Sequence, residues 1–211
     1  MANPHIADLI ALALRLVNAG QLERARIVCD QAVAAWPPHP AVQQMLALLD
    51  LKAGHPEQAR EHAALSLKLR PDHVPTLLLA GEAALAERDP AAAAQALERA
   101  VLLAPEQADA WFRVALARQD LHDLAGAADA LRRVLALNPG RADAWVNLGI
   151  VLQEDGRLDA AMQAYGRAFR LREESFGRIA HALSTPATGR LWLDLDDLRA
   201  ALRDAGVDQT G

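Results

Sequence analysis

Cysteine is nearly missing from this 211-residue chain: Cys29 stands alone. No internal disulfide can form, so an oxidised, disulfide-stapled scaffold is excluded. Aromatic residues make up only 4%, and the β-branched and aromatic side chains that suit half-buried strands are scarce. An all-β fold or a large sheet is therefore ruled out. Lysine is reduced to Lys52 and Lys68, every other basic residue being arginine, a skew that fits a high-GC bacterial genome. The formal net charge is −5 with signs interspersed, which provides neither a basic footprint for nucleic acid nor a charge block for an anionic membrane surface. No uncharged apolar run reaches the length of a membrane span. The apolar stretch from Ile6 to Val17 has no basic leader and carries Asp8 and Arg15 within it, unlike a secretory signal. A cytoplasmic location is expected.

Catalytic machinery is equally hard to find. Of the three serines, Ser66, Ser175 and Ser184, none sits in a Gly-x-Ser-x-Gly elbow. No two of the seven histidines fall three or four residues apart, the spacing that sets two ligands on one helix face, and His39 and His73 merely echo one another at 34 residues. No glycine-rich phosphate loop is present. Asp89, Asp123 and Asp159 stand at expected helix starts, where capping and the helix dipole account for them. The expectation is a non-enzyme with no cofactor and no metal.

What the chain has in abundance is alanine and leucine, within a hydrophobic fraction of 52%. Both are strong helix formers, and an all-α fold follows. The helices repeat. Prolines 37, 71, 105 and 139, alanines 25, 59, 93, 127 and 161, and tryptophans 111 and 145 each recur at intervals of 34 residues. Gly20, Gly54 and Gly156 share that register, with Arg88 and His122 in the glycine column between them. Units fall at 6–39, 40–73, 74–107, 108–141 and 142–175. Each holds a helical pattern, a break where glycine tolerates a left-handed turn, a second helix, and a closing proline that cannot continue it. Gly81, Gly149 and the alanine column are expected to allow close helix approach.

Trp145-x-x-Leu148-Gly149-x-x-Leu152, followed by Ala161, Tyr165 and Ala168, resembles the tetratricopeptide repeat. The fourth unit is similar through Trp111, Val114, Ala127, Leu131, Val134 and Pro139, and the third through Leu77, Ala80, Gly81, Ala93, Leu97 and Pro105. The first two units carry it more thinly, with Cys29 at a core column. The resemblance implies a right-handed superhelical solenoid of antiparallel helix pairs over residues 1–175. It further implies that the first helices line a concave groove for a partner peptide or helix. In register, the fifth and ninth positions are Ile10 and Leu14, Gln44 and Leu48, Leu78 and Glu82, Phe112 and Leu116, and Val146 and Ile150. Asp109, Arg113, Asp143 and Asn147 join them toward the C-terminal end.

Family members that grip a chaperone's terminal carboxylate use Lys, Arg and Asn on these helices; Ile10, Leu14, Gln44 and Leu48 do not supply that clamp. The expected function is a protein-interaction scaffold with an unusually apolar groove, complementary to a partner whose basic groups meet Asp109 and Asp143. Two alternatives stand beside it. One is a module serving a separate glycosyltransferase or sulfotransferase, and the other a self-assembling structural protein.

Residues 176–211 break the period. Glu173 replaces the closing proline, which predicts that the last repeat helix extends through Phe176, Ile179 and Leu183. A loop at Pro186, Thr188 and Gly189 precedes a final helical stretch ending near Gly206. A capping role is expected for this segment. The alternative has Leu191, Trp192 and Leu193 docking into the chain's own groove or onto a second copy.

Overall fold

The structure, a computed structural model, describes residues 5–184 and 195–205. Among the described residues it is all-helical, without a strand. Contacts divide the chain into two compact units, Met1–Ala104 and Pro105–Gly211. Unit 1 holds α1 (Ile6–Asn18), α2 (Leu22–Ala35), α3 (Pro40–Ala53), α4 (Pro56–Leu69), α5 (Val74–Ala86) and α6 (Pro90–Leu103). Unit 2 holds α7 (Ala108–Asp120), α8 (Leu124–Leu137), α9 (Ala142–Glu154), α10 (Leu158–Leu171), α11 (Phe176–Leu183) and α12 (Leu195–Asp204). Helices α1 to α10 pack as five successive hairpins. Within the units, the second helix of one hairpin also packs on the first helix of the next, as α4 does on α5 and α8 on α9.

One turn serves all five hairpins. Gly20, Gly54, Arg88, His122 and Gly156 are all left-handed, with φ of 71°, 79°, 60°, 59° and 76°. The residue after each donates its N–H back across the turn: Gln21 to Leu16, His55 to Asp50, Asp89 to Ala84, Asp123 to Arg118 and Arg157 to Leu152, at 2.8–2.9 Å. Such bonds satisfy carbonyls that a helix end otherwise leaves unpaired. Asp89 and Asp123 then cap the following helices, accepting from Ala92 and Gly126 at 3.0 and 2.9 Å. Asp159 lies within the first turn of α10 instead, placed for the dipole rather than for capping.

The alanine column is the seam of each hairpin. Ala25, Ala59, Ala93, Ala127 and Ala161 are all fully buried, at 0% exposure. A second column shows how far side-chain size is matched across the seam. A Cβ added to Gly81 would lie 2.4 Å from Cγ of Leu97, and one on Gly149 would lie 2.3 Å from the Tyr165 ring. Both glycines therefore face a large side chain sixteen residues on. The other first helices carry alanine at this position, Ala13, Ala47 and Ala115, opposite Cys29, Ala63 and Leu131, all of them buried.

Polar groups tie hairpin to hairpin. Trp111 and Trp145 donate their indole N–H to the carbonyls of Pro105 and Pro139 at 2.9 and 3.0 Å, anchoring the loops ahead of α7 and α9. In unit 1, buried Asp50 on α3 is ion-paired to Arg26 on α2, with His62 Nε2 on α4 at 3.6 Å from its other oxygen. Buried Ser66 on α4 donates to the Pro40 carbonyl at 2.9 Å and lies 3.3 Å from Thr76 on α5.

The last repeat helix does not extend past position 171. Arg172 is extended (φ −151°, ψ 107°), a 3₁₀ turn spans Glu173–Ser175, and α11 starts afresh at Phe176. Trp36, Arg70, Ala104 and Asn138, at the same register position, also leave the helical region, with φ from −134° to −145°. The break recurs without its proline because the chain must turn to bring Ile179 and Leu183 into the core, where they are 0% and 2% exposed.

From there the tail divides. Helix α11 packs beside α9, and α12 packs on α10 with Leu198 and Leu202 buried. Arg170 of α10 donates to the Leu202 and Arg203 carbonyls at the end of α12, at 3.4 and 3.1 Å. Phe176 lies against Phe169 (centroids 5.9 Å apart) and under Arg199 (4.3 Å). Tyr165 donates to Gln153 at 3.0 Å, and Gln153 donates to the Ala182 carbonyl of α11 at 2.8 Å. The expectations placed on Pro186, Thr188, Gly189 and Leu191 to Leu193 lie outside the described residues.

Two predictions follow from the turn and the seam. Arg88→Gly and His122→Gly should each raise stability by about 1 kcal/mol, because an L side chain in the left-handed region costs roughly 1–2 kcal/mol, partly offset by glycine's greater unfolded-state entropy. Urea denaturation checks this, and a loss of stability would refute the assigned strain. Gly149→Ala and Ala161→Leu should instead overpack the seam and lower stability by about 1–3 kcal/mol, read from the same curves.

Candidate protein-binding surface

In unit 1 the first helices lie side by side, α1 against α3 and α3 against α5. Each contributes a pair of residues one helical turn apart, so both members share a face: Ile10 and Leu14, Gln44 and Leu48, Leu78 and Glu82. Ile10 packs onto the core formed by α1, α2 and α3 and stays partly accessible. Leu48 leans on Ala47, Ala63 and Leu79 in the same manner. Leu14 is 49% exposed, an open apolar side chain beside these half-buried ones. The row is apolar apart from Gln44 and Glu82.

The corresponding face of unit 2 is chemically different. Phe112, Arg113 and Leu116 on α7 and Ile150 on α9 are partly buried, whereas Val146 (1%) and Asn147 (8%) are enclosed. Asn147 donates to the Asp143 carbonyl at 3.0 Å and accepts a 3.4 Å bond from Arg178 of α11. Arg141, immediately before α9, binds Asp143 at 3.1 Å and Asp109 on α7, and its guanidinium lies 4.3 Å from the Phe112 ring. The two carboxylates expected to attract a basic partner are thus already engaged by the chain's own arginine, and Phe112 is covered by the same group.

Sequence reasoning missed Arg141 because it read positions inside helices, whereas this residue occupies the loop between them. It missed Arg178 because the tail has no repeat register. The remaining hairpin faces are held by local pairs such as Gln119 to Glu154 at 3.0 Å, Arg60 to Glu87 and Arg99 to Asp72. Exposed pairs of this kind contribute little to stability, because solvent screens them.

Among the described residues no cluster of three His, Cys, Asp or Glu side chains could hold a metal ion, and no helix is long and apolar enough to cross a membrane. Cys29 is buried, at 2% exposure. Burial and nearby Asp30 push its thiol up to about 11, against a smaller opposing pull from Arg26. It behaves as a small core hydrophobe rather than a nucleophile.

These features define a class: tandem helix hairpins with a matched small-residue seam and a face of first helices. Models of the tetratricopeptide repeat match residues 118–183, and 44–105 with 78–118. The chain belongs to the tetratricopeptide repeat family. Among solved structures it is similar to the MamA protein (20% identity, 81% of this chain and 93% of that one, TM-score 0.73). It is also similar to YrrB, described as a tetratricopeptide protein with an unusual peptide-binding site (20%, 82% and 89%, TM-score 0.76). A MamA double mutant is comparable (20%, 82% and 98%, TM-score 0.75). At these identities the likeness is one of fold. No curated protein matches the sequence.

The buried thiol predicts a pH dependence. A folded-state pKa raised above 9.0 contributes stability that is present in full below pH 9 and is lost as the pH rises toward about 11. The melting temperature should therefore fall over that window, and Cys29→Ala should reduce the slope. Part of it should remain, because burial also raises the Tyr165 phenol.

Proposed function

We propose that the protein is a non-enzymatic interaction scaffold, acting in the cytoplasm, that binds a partner peptide or helix on the first-helix face of unit 1. The observation that carries this reading is the row formed by Ile10, Leu14, Leu48 and Leu78. Leu14 is 49% exposed and Ile10, Leu48 and Leu78 are partly accessible at the same register positions, with Gln44 and Glu82 the polar members of the row. Apolar strips of this kind suit an amphipathic helix or an extended segment with apolar anchors. Membership in the tetratricopeptide repeat family supports it. YrrB's described peptide-binding site is a parallel from a protein of the same fold.

On this reading residues 6–175 are five repeats and the segment from 176 onward is a cap. The tail helices pack on the last pair, and the most open apolar side chain of the row, Leu14, lies in unit 1. Arg141 engages Asp109 and Asp143, and the pair keeps one negative charge that a basic group of the partner can meet, at Asp109 above all, whose side chain is 77% exposed.

The test is affinity isolation with the wild type and with Leu48→Asp, read by mass spectrometry and followed by binding curves for whatever is recovered. Leu48 is only partly buried, so the variant should retain its helical circular dichroism while losing at least tenfold in affinity, the cost of burying an unpaired carboxylate. Unchanged affinity would place the partner elsewhere on the chain.

A further inference from the structure

The histidines that recur at 34 residues stand at helix starts. His5, His39 and His73 directly precede α1, α3 and α5, whereas Gln107 and Arg141 hold that position ahead of α7 and α9. A side chain that titrates near neutral pH therefore fills this column only in unit 1. His39 caps α3: its Nδ1 accepts the Ala41 N–H at 3.2 Å. Accepting requires a free lone pair, so the ring is neutral with its proton on Nε2. A second proton, on Nδ1, abolishes the cap and sets a positive charge against the positive end of the helix dipole.

His73 has the opposite tautomer. Ser66 donates its hydroxyl to the Pro40 carbonyl at 2.9 Å, which leaves its oxygen to accept from Thr76 at 3.3 Å. The Thr76 oxygen in turn accepts the His73 Nδ1–H at 2.8 Å. One run of bonds thus ties the start of α5, through α4, to the first residue of α3 beside His39. Burial holds the His73 imidazole below its ordinary 6.5, and Arg70 adds to the effect. A base held low in the folded chain contributes stability that is complete above pH 6.5 and is lost as the pH falls through the lower folded value.

The charges around these two starts are few. Neither α3 nor α5 has an acidic residue in its first turn, whereas α7 has Asp109 and α9 has Asp143. Asp50 lies at the far end of α3, and Glu82 and Glu87 lie in the second half of α5 and just past it. After Asp30, α2 ends in four uncharged residues, and α1 opens with Asp8, which accepts the His5 N–H at 3.3 Å. The end of α4 and the loop after it bring Lys68, Arg70 and Asp72, and α6 brings Glu98 and Arg99. Asp72 is bonded to Arg99 at 3.0 Å, and Arg70 is the charge that acts on the His73 ring.

We propose that proton uptake by His39 and His73 is an acid switch on the first-helix face of unit 1, which uncaps α3, charges the start of α5 and releases the partner held there. The inference rests on the scaffold reading. Leu48 rides on α3 and Leu78 on α5, so loosening these helices disturbs the apolar row directly. The same positions of unit 2 are indifferent to acid, because Gln107 takes up no proton and Arg141 carries its charge throughout.

The test is amide exchange of the full chain read by NMR at about pH 7.5 and about pH 5, on either side of the histidine range. Rates are expressed as protection relative to an unstructured chain at the same pH. Wild type is compared with the double variant His39→Asn, His73→Asn, since asparagine caps a helix and does not titrate. Acid should lower the protection of Ala41 in wild type by about fivefold or more, the loss expected when an N-cap is removed, and lower that of Thr76 and Leu77 with it. The starts of α7 and α9 should not change, and the double variant should keep its protection at both pH values. At the higher pH the ring nitrogen shifts should place the proton on Nε2 of His39 and on Nδ1 of His73. A partner whose capture depends on Leu48 should bind wild type more weakly in acid and the double variant equally at both pH values.

Unchanged protection of α3 and α5 in acid overturns the proposal, as does a loss shared by α7 and α9 or retained in the double variant. The wild-type measurements decide the first two points even if the variant fails to fold. A partner lost by Leu48→Asp yet held equally at both pH values would defeat the switch and leave the scaffold reading standing. If no partner depends on Leu48, the scaffold reading itself fails and the release falls with it.

Discussion

The close approach of two helices within each hairpin is the constraint on which everything else depends. A column of five alanines with no exposed surface sets that approach. Gly81 and Gly149 permit it where Leu97 and Tyr165 stand opposite. Once the pair is closed, a tight left-handed turn must join its ends, and the same backbone bond recurs five times regardless of whether glycine, arginine or histidine occupies the strained position. Packing therefore imposes the local conformation, and residue preference follows where it can. One hairpin leaves faces unburied, and the contacts to the next hairpin bury them.

The same constraint separates the two kinds of helix face. The alanine column on the seam is held small in all five hairpins, whereas residues on the outer side of the first helices vary in chemistry. Unit 1 fills that side with leucine and isoleucine. Unit 2 sets Phe112, Leu116, Val146 and Ile150 there beside Arg141, Asp109, Asp143 and Asn147, which are bonded to one another or to the tail. The fifth and ninth positions stay mostly apolar in both units, with Phe112, Leu116 and Ile150 partly accessible in unit 2, and the units differ in the polar network beside them and in the open side chain of Leu14.

Much of the fold was legible because it repeats. Five copies turn each weak preference into a column, so the left-handed turn was readable even at Arg88 and His122, where a single copy would have hidden it. What was not legible is non-periodic. The stop at Arg172 occurs without proline because tertiary packing, not the local residue, demands it. The buried ion pair between Arg26 and Asp50 joins one hairpin to the next, and the position of Asp50 holds Leu16, Ala84, Arg118 and Leu152 in the other repeats, so no column exposes it. Arg141 and Arg178 act from a loop and from the tail, where the register is silent. The candidate face was thus readable as a row of positions, but the partners that enclose half of it were not.

Amide hydrogen exchange on the full chain, with and without a partner recovered by affinity isolation, tests the central claim most directly. The account predicts that binding adds protection to α1, α3 and α5, whose outer faces are open. The second helices α2, α4 and α6 should exchange as before. Added protection confined to those second helices, or to neither set, would contradict it.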